Sequence, residues 1–363
     1  MYALFKGQPR RSNKMKKYIT MLVAASLITS VILCGCSASN EKKTLTVFNY
    51  GMYIDMNMID QFQKETGIEV RYEEAPTPEE LYTKYKSGAI DYDVLCTSEY
   101  MLQKLIDEGE LMEIDFDSME NTKGIGSKYW DMVKSFDPDN KYVMPYFWGT
   151  VGLLYDSGKV PAPESWEVLF NGQYSGDIIM QNSMRDAYMI ALKYLGYSLN
   201  STDDKELAEA QELLIKQKPD VQSYLVDEVR DEILAQNAAI GVVYSGEAFY
   251  AYEENPDIKY CIPKEGSNLW IDCWGITKNC HDTESAKKFL DYLCREDVAR
   301  ANFEEVRYSS PITAIADNLT EEEQASDAMN PSADKLANCE IYKRLPDDVT
   351  EKLSTMWKEL KAD

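Results

Sequence analysis

The sequence predicts an α/β protein of two lobes packed face to face. Three observations carry this. Strand-like runs alternate with amphipathic helical runs between residues 44 and 106, and the same alternation returns between 238 and 293. No internal repeat, low-complexity tract or long linker separates the two stretches. A length of 363 residues suits one large or two medium domains. In order, Thr44-Leu-Thr-Val-Phe-Asn alternates as a strand, and Met58-Ile59-Asp60-Gln61-Phe62 continues a helix that Gly67 ends. Ile68-Glu-Val-Arg-Tyr is a second strand. Pro78-Glu79-Glu80-Leu81 opens a second helix with acids in its first turn. Asp93-Val-Leu-Cys is a third strand, and a helix begins over Tyr100–Ile106. Further on, Ala238–Tyr244 reads as a buried strand and Glu284–Leu293 as an amphipathic helix. Such alternation implies a mostly parallel sheet flanked by helices.

The N-terminal segment precedes this pattern. Lys14, Lys16 and Lys17 form a basic cluster, and residues 18–33 are mostly apolar but too short for a membrane span. Leu33-Cys34-Gly35-Cys36 follows, then Ser-Ala-Ser-Asn. This resembles the bacterial lipoprotein signal, whose cysteine becomes lipidated and is then the mature N-terminus. The resemblance implies a diacylglycerol on Cys36 and a body tethered outside the cytoplasmic membrane, since two acyl chains anchor stably where one does not. Met15 reads as the natural start, and residues 37–43 as a polar tether.

Composition narrows the function. Removing residues 1–36 takes away six basic residues and leaves 32 basic against 62 acidic, a net charge of −30. Nucleic acid is excluded as a partner on that ground, because it needs a basic footprint. A cationic ligand is accommodated more easily. One histidine, His281, in an expected surface turn, argues against histidine-based metal sites and triads. Cys96, Cys261, Cys273, Cys280, Cys294 and Cys339 form no Cys-x-x-Cys pair; disulfides and free thiols both fit their spacing. There is no dinucleotide fingerprint, nucleophile elbow, P-loop or H-E-x-x-H. Paired carboxylates are plentiful, but 62 acids produce such pairs by chance. No catalytic residue, metal or cofactor is therefore expected.

Several segments, in order, are similar to the spermidine/putrescine-binding proteins of polyamine ABC importers. They are Asn49-Tyr50-Gly51-Met52-Tyr53-Ile54, Tyr92–Tyr100, Pro145-Tyr146-Phe147-Trp148-Gly149-Thr150, Met184-Arg185-Asp186-Ala187, Tyr244-Ser245-Gly246-Glu247-Ala248, Leu269-Trp270-Ile271-Asp272 and Tyr308-Ser309-Ser310-Pro311. The resemblance spans Thr44 to the C-terminus. It implies a two-lobed type II periplasmic-binding-protein-like fold, each lobe a mixed sheet flanked by helices, with a hinge between. The lobes are expected at 44–143 with 269–316 and at 144–268 with 317–363, the chain crossing near 142–145, 263–268 and 315–319. A monomer is expected, delivering its ligand to an ABC permease.

The residues agree with such a ligand. A polyamine is a methylene chain between protonated amines, so its receptor needs carboxylates at amine spacing and aromatic walls. Aromatic faces attract ammonium groups by roughly 0.5–2 kcal/mol each, depending on desolvation. In Trp270-x-Asp272 both side chains share a face if the segment is extended. The resemblance makes Tyr50 and Tyr53 cleft aromatics, the first being more often Trp in the family. It places Ser98 and Tyr100 in a ligand-contacting loop, and Asp186 where the family usually has a Glu anchoring a terminal amine. Tyr244 stands for a frequent Trp wall, Glu247 for an Asp of putrescine-type members, Trp270 and Asp272 for the central wall and anion, and Tyr308 for another wall. Ser183 stands where some spermidine-binding members carry a second Asp, and Lys343 falls near a Gln of such members. Both departures shorten the acidic track, so putrescine is expected to bind within about tenfold of spermidine. The same fold also serves binding proteins for sugars, phosphate or ferric ion. A secreted hydrolase is the alternative from another class.

Overall fold

The computed structural model describes residues 43–362. The lipidation site Cys36, the signal segment 1–36 and the tether before Lys43 lie outside the described residues. The first lobe is built as the alternation predicts. Strands β1 (Thr44–Tyr50), β2 (Glu69–Ala75) and β3 (Val94–Ser98) are parallel, with β1 in the middle. Helix α1 (Met56–Thr66) starts where the Asp55 carboxylate accepts the Asn57 amide at 2.8 Å, and ends at Gly67 with φ 71°, a left-handed conformation that glycine adopts without strain. Helix α2 (Pro78–Ser87) has Thr77 as N-cap and Pro78 in its first turn. Helix α3 (Glu99–Asp107) begins one residue earlier than expected, directly on the end of β3. A short helix α4 (Ser127–Val133) follows.

The next strand was not legible as a strand. β4 (Val143–Asp156) runs for 14 residues, all buried. Its apolar sequence has no period because it is covered on both faces. From Val143 to Thr150 it pairs antiparallel with β9 (Leu269–Ile276), with an irregularity between Pro145 and Phe147, where proline offers no amide to the ladder. From Val151 to Asp156 it pairs with the second lobe's strands. That lobe contains β5 (Ile178–Gln181), α5 (Met184–Tyr194), α6 (Asp204–Gln217), β6 (Val221–Leu225), α7 (Glu228–Leu234), β7 (Ile240–Tyr244), α8 (Ser245–Glu254) and β8 (Ile258–Cys261). After β9 the chain returns to the first lobe through α9 (Thr283–Leu293) and α10 (Glu296–Val306). The C-terminal helix α11 (Asp347–Ala362) packs on α5 and α6 of the second lobe.

The strand order is β2-β1-β3-β9-β4-β7-β5-β6, with β8 beside β4. The sheet is mixed rather than mostly parallel. β4 and β9 carry the chain out of the first lobe and back, so they run against each other, and β9 also runs against β3 and β4 against β7. Apolar packing holds each half. In the first, Trp274 and Phe62 both meet the ring of Phe289, at 5.7 and 5.3 Å between centroids. In the second, Trp166 and Tyr188 are fully buried. Each large apolar side chain so buried contributes roughly 1.5–3 kcal/mol.

All six cysteines of the described residues are free thiols. Among the described residues no helix is long and apolar enough to cross a membrane, and no cluster of three or more His, Cys, Asp and Glu could hold a metal.

Candidate functional site

The candidate residues converge where the two halves of the sheet meet. Tyr50 ends β1, and its hydroxyl bonds the hydroxyls of Thr97 at 2.8 Å and Ser98 at 3.1 Å, at the end of the neighbouring β3. The turn after β1 carries Met52 at φ 55°, fully out in solvent, and swings Tyr53 back inside. The Tyr53 hydroxyl donates to Asp272 Oδ2 at 2.7 Å. Trp270 and Asp272 lie two apart on β9, so they share a face as the W-x-D spacing predicts. Tyr308 follows α10 through Arg307, which takes a left-handed conformation at φ 63°. Its ring meets Trp270 at 5.0 Å edge-on and Tyr53 at 5.8 Å.

The second lobe supplies the other end. Tyr244 closes β7 and stands perpendicular to Trp270 at 6.4 Å. Its hydroxyl donates to Asp186 Oδ2 at 2.8 Å. Asp186 sits in the first turn of α5, whose N-cap is Ser183, accepting the Asp186 amide at 3.3 Å. The departure at Ser183 is thus a helix cap. The other oxygen of Asp186 accepts from Tyr342 at 2.8 Å. Tyr342 meets the ring of Tyr100 at 6.1 Å, and Tyr100 donates to Glu79 at 2.9 Å. The departure at Lys343 is also resolved: Tyr342 is buried and Lys343 is exposed, so the tyrosine faces the site and the cation does not.

Nine of the ten candidates therefore form one chain of contacts. Glu247 stands apart. It is joined to Arg230 at 2.8 Å, and only its charge reaches Tyr308. Burial pushes its carboxyl up to about 7, with Arg230 opposing.

Two glycines are needed for this packing. A methyl group on Gly149 would lie 2.6 Å from the Trp270 ring, and one on Gly246 2.4 Å from the Tyr308 ring. Backbone approaches the walls where no other residue fits.

Electrostatically, the site disfavours anions left uncompensated. Burial pushes the Asp272 carboxyl up to about 7, and the Tyr53 hydroxyl pulls it part of the way down. The phenols of Tyr50, Tyr53, Tyr244, Tyr308 and Tyr342 are raised well above their usual value, by burial first and then mostly by neighbouring carboxylates, so they remain neutral donors. Trp270 Nε1 has no hydrogen-bond partner. Neutral donors, aromatic faces and buried carboxylates suit a cation with an apolar body.

Sequence reasoning missed four participants. Tyr342 lies in an irregular segment without period. Phe147, which meets Tyr53 at 5.5 Å, was visible only as part of a motif. Arg185, buried over the ring of Tyr342 at 4.3 Å, is held by the Lys343 carbonyl at 3.2 Å and Asn200 at 3.2 Å. Glu99 is fully buried beside Asp272.

Two halves of one mixed sheet, with aromatic rings and buried carboxylates gathered where they meet, have the architecture of a solute-binding protein. The chain belongs to the bacterial extracellular solute-binding proteins, whose family model matches residues 57–331. It is 32% identical over 334 residues to the spermidine/putrescine-binding periplasmic protein of Escherichia coli K12, covering 90% of this chain and 93% of that one. It is 27% identical to the putrescine-binding periplasmic protein SpuD of Pseudomonas aeruginosa, covering 96% and 99%. Among solved structures it is similar to the spermidine/putrescine ABC transporter substrate-binding protein PotD of Streptococcus pneumoniae, at 36% identity and TM-score 0.78, covering 88% of this chain and 99% of that one.

Proposed function

We propose that this protein binds a polyamine, spermidine or putrescine, outside the cytoplasm and hands it to an ABC permease. The observation that carries the reading is the pairing of two buried carboxylates, Asp272 and Asp186, across one run of aromatic rings from Tyr53 through Tyr308 and Trp270 to Tyr244. Each carboxylate also keeps tyrosine hydroxyls as donors, so an ammonium adds a partner rather than replacing one. The proposal includes no chemical turnover, a monomeric body and a lipid on Cys36. The two lobes are part of the proposal, with a hinge at β4 and β9; against the boundary expected at 143/144, the change of β4 from β9 to β7 after Thr150 supports a boundary seven residues later. The relatives' names support the ligand class. The test is calorimetry of the purified protein with spermidine, putrescine, amino acids and sugars. Saturable binding of a polyamine and of nothing else is expected. Binding of a sugar or amino acid with no response to either polyamine would overturn the reading.

A further inference from the structure

The segment from Glu340 to Arg344 is tied to the second lobe residue by residue. Lys193 on α5 meets Glu340 at 2.9 Å. Asn200 donates to the Ile341 carbonyl at 2.9 Å and accepts the Lys343 amide at 2.8 Å, and Tyr342 donates to Asp186 on α5. Leu345, next along, is buried and anchors the end of the segment. Two of its residues nevertheless reach the first lobe. The Tyr342 ring meets Tyr100 edge-on at 6.1 Å. The Arg344 amide donates to Gln103 Oε1 at 2.8 Å, and the Arg344 guanidinium donates to Asp107 Oδ2 at 3.1 Å. Tyr100, Gln103 and Asp107 belong to α3 at positions i, i+3 and i+7, so they form one stripe along the helix. α3 is held in the first lobe, where it packs on β3 and α2 and where Tyr100 donates to Glu79. The guanidinium of Arg344 also meets Asp347, in the first turn of α11, at 3.4 Å. That contact lies within the second lobe, so it orients the guanidinium independently of α3.

Resting on the proposed closure of the lobes about β4 and β9, we infer that Arg344 is a positioning residue: it clasps α3 when the cleft is shut over Asp186, and so sets how long a bound ligand stays. The role needs no contact with the ligand. The bonds of Arg344 to Gln103 and Asp107 span the two lobes, so they stabilise the closed arrangement alone and must break before the lobes part. Their loss therefore appears in the rate of release and not in the rate of capture. Net charge alone predicts the reverse. Taking a cation away from an acidic protein tightens the binding of a polycation, whereas taking away a clasp loosens it.

The test measures association and dissociation of spermidine and of putrescine by stopped-flow tryptophan fluorescence at low salt. It compares wild type, Arg344→Met, Asp107→Asn, Gln103→Met and the double variant Arg344→Met/Asp107→Asn. Arg344→Met and Asp107→Asn are each expected to speed release of both polyamines by about two- to fivefold, the range for a partly exposed ion pair, with association within about twofold of wild type. The double variant should release no faster than Arg344→Met, because both changes remove the same contact. Gln103→Met, which removes the acceptor of the Arg344 amide, should speed release by about two- to tenfold. Release at the wild-type rate or tighter binding in Arg344→Met, or effects that add in the double variant, overturns the inference and leaves the polyamine reading intact. X-ray scattering of wild type separates a failed clasp from a failed hinge: a radius of gyration unchanged by saturating spermidine removes the closure, and the clasp with it. No binding of either polyamine by wild type overturns the polyamine reading, and the inference that rests on it.

Discussion

Asp272→Asn keeps the shape of the side chain and removes its charge. Tyr53 can still donate to the amide oxygen, so the 2.7 Å contact and the wall of rings around it should survive. What is lost is the attraction between carboxylate and ammonium, about 1.5–3 kcal/mol for a charged hydrogen bond, or roughly ten- to a hundredfold in affinity at pH 8. The loss should shrink at lower pH. Burial pushes the Asp272 carboxyl up to about 7 in the free protein, so at pH 6 a cation must first displace a proton. One pH unit below that value costs about 1.4 kcal/mol. The contribution of Asp272 to wild-type affinity should therefore rise about tenfold between pH 6 and pH 8, and Asp272→Asn should lack that part of the slope. Stability runs the other way. A carboxyl raised on folding stabilises the native state fully below its unfolded value near 4, and that contribution is lost as pH rises towards 7. Ligand-free Asp272→Asn should accordingly melt higher than wild type at pH 8 and no higher at pH 4. Calorimetric titration at pH 6 and 8, with melting curves on the same samples, reads both effects. A folded Asp272→Asn protein with wild-type polyamine affinity at pH 8 would refute the placement of the site.

Asp186→Asn should weaken polyamine binding by about tenfold or more at pH 8. It leaves both tyrosine hydroxyls with one acceptor oxygen and an amide, so a drop in melting temperature should accompany it, read by scanning fluorimetry with and without ligand. Gly246→Ala drives a methyl group into the Tyr308 ring and the Arg307 carbonyl, and should lose polyamine affinity while leaving the far-ultraviolet circular dichroism of the fold unchanged. Wild-type affinity in Gly246→Ala would show that the Tyr308 wall can shift freely. Metabolic labelling with a fatty-acid probe should mark the wild type and Cys34→Ala but not Cys36→Ala; label that persists in Cys36→Ala removes the lipoprotein assignment.

The alternation from β1 to α3 was legible because β1 and β3 show buried runs, β2 alternates half-buried Val70 and Tyr72 with exposed residues, and the first two helices carry a stop or start at Gly67 and Pro78. β4 was not, because a strand covered on both faces shows no period. That Trp270 and Asp272 share a face was legible from pleat geometry, and β9 is extended there; their place in the site needed the family resemblance. Tyr50, Tyr244 and Tyr308 needed the family resemblance, since a tyrosine near a strand end is structural more often than not. Glu247 shows where sequence stops. Its partner Arg230 is 17 positions away on α7, and nothing in the order of residues reveals that the two meet. Glu99 was hidden for a different reason. An acid in the first turn of a helix has an ordinary explanation in the helix dipole, and nothing in the order of residues reveals that its neighbour Ser98 pairs with Asp272 across β3 and β9.

The same register explains why the site tolerates so many acids. Asp272 and Asp186 are not bare charges in an apolar wall. Each already accepts from buried phenols, and those phenols are held neutral by burial. A carboxylate offers about four lone-pair sites, so about three remain on Asp272 and about two on Asp186 after the tyrosines are served. The tyrosines therefore fix where each oxygen points before a ligand arrives, and a cation finds acceptors that need little reordering. Glu99 has no such phenol, and its charge is correspondingly harder to hold.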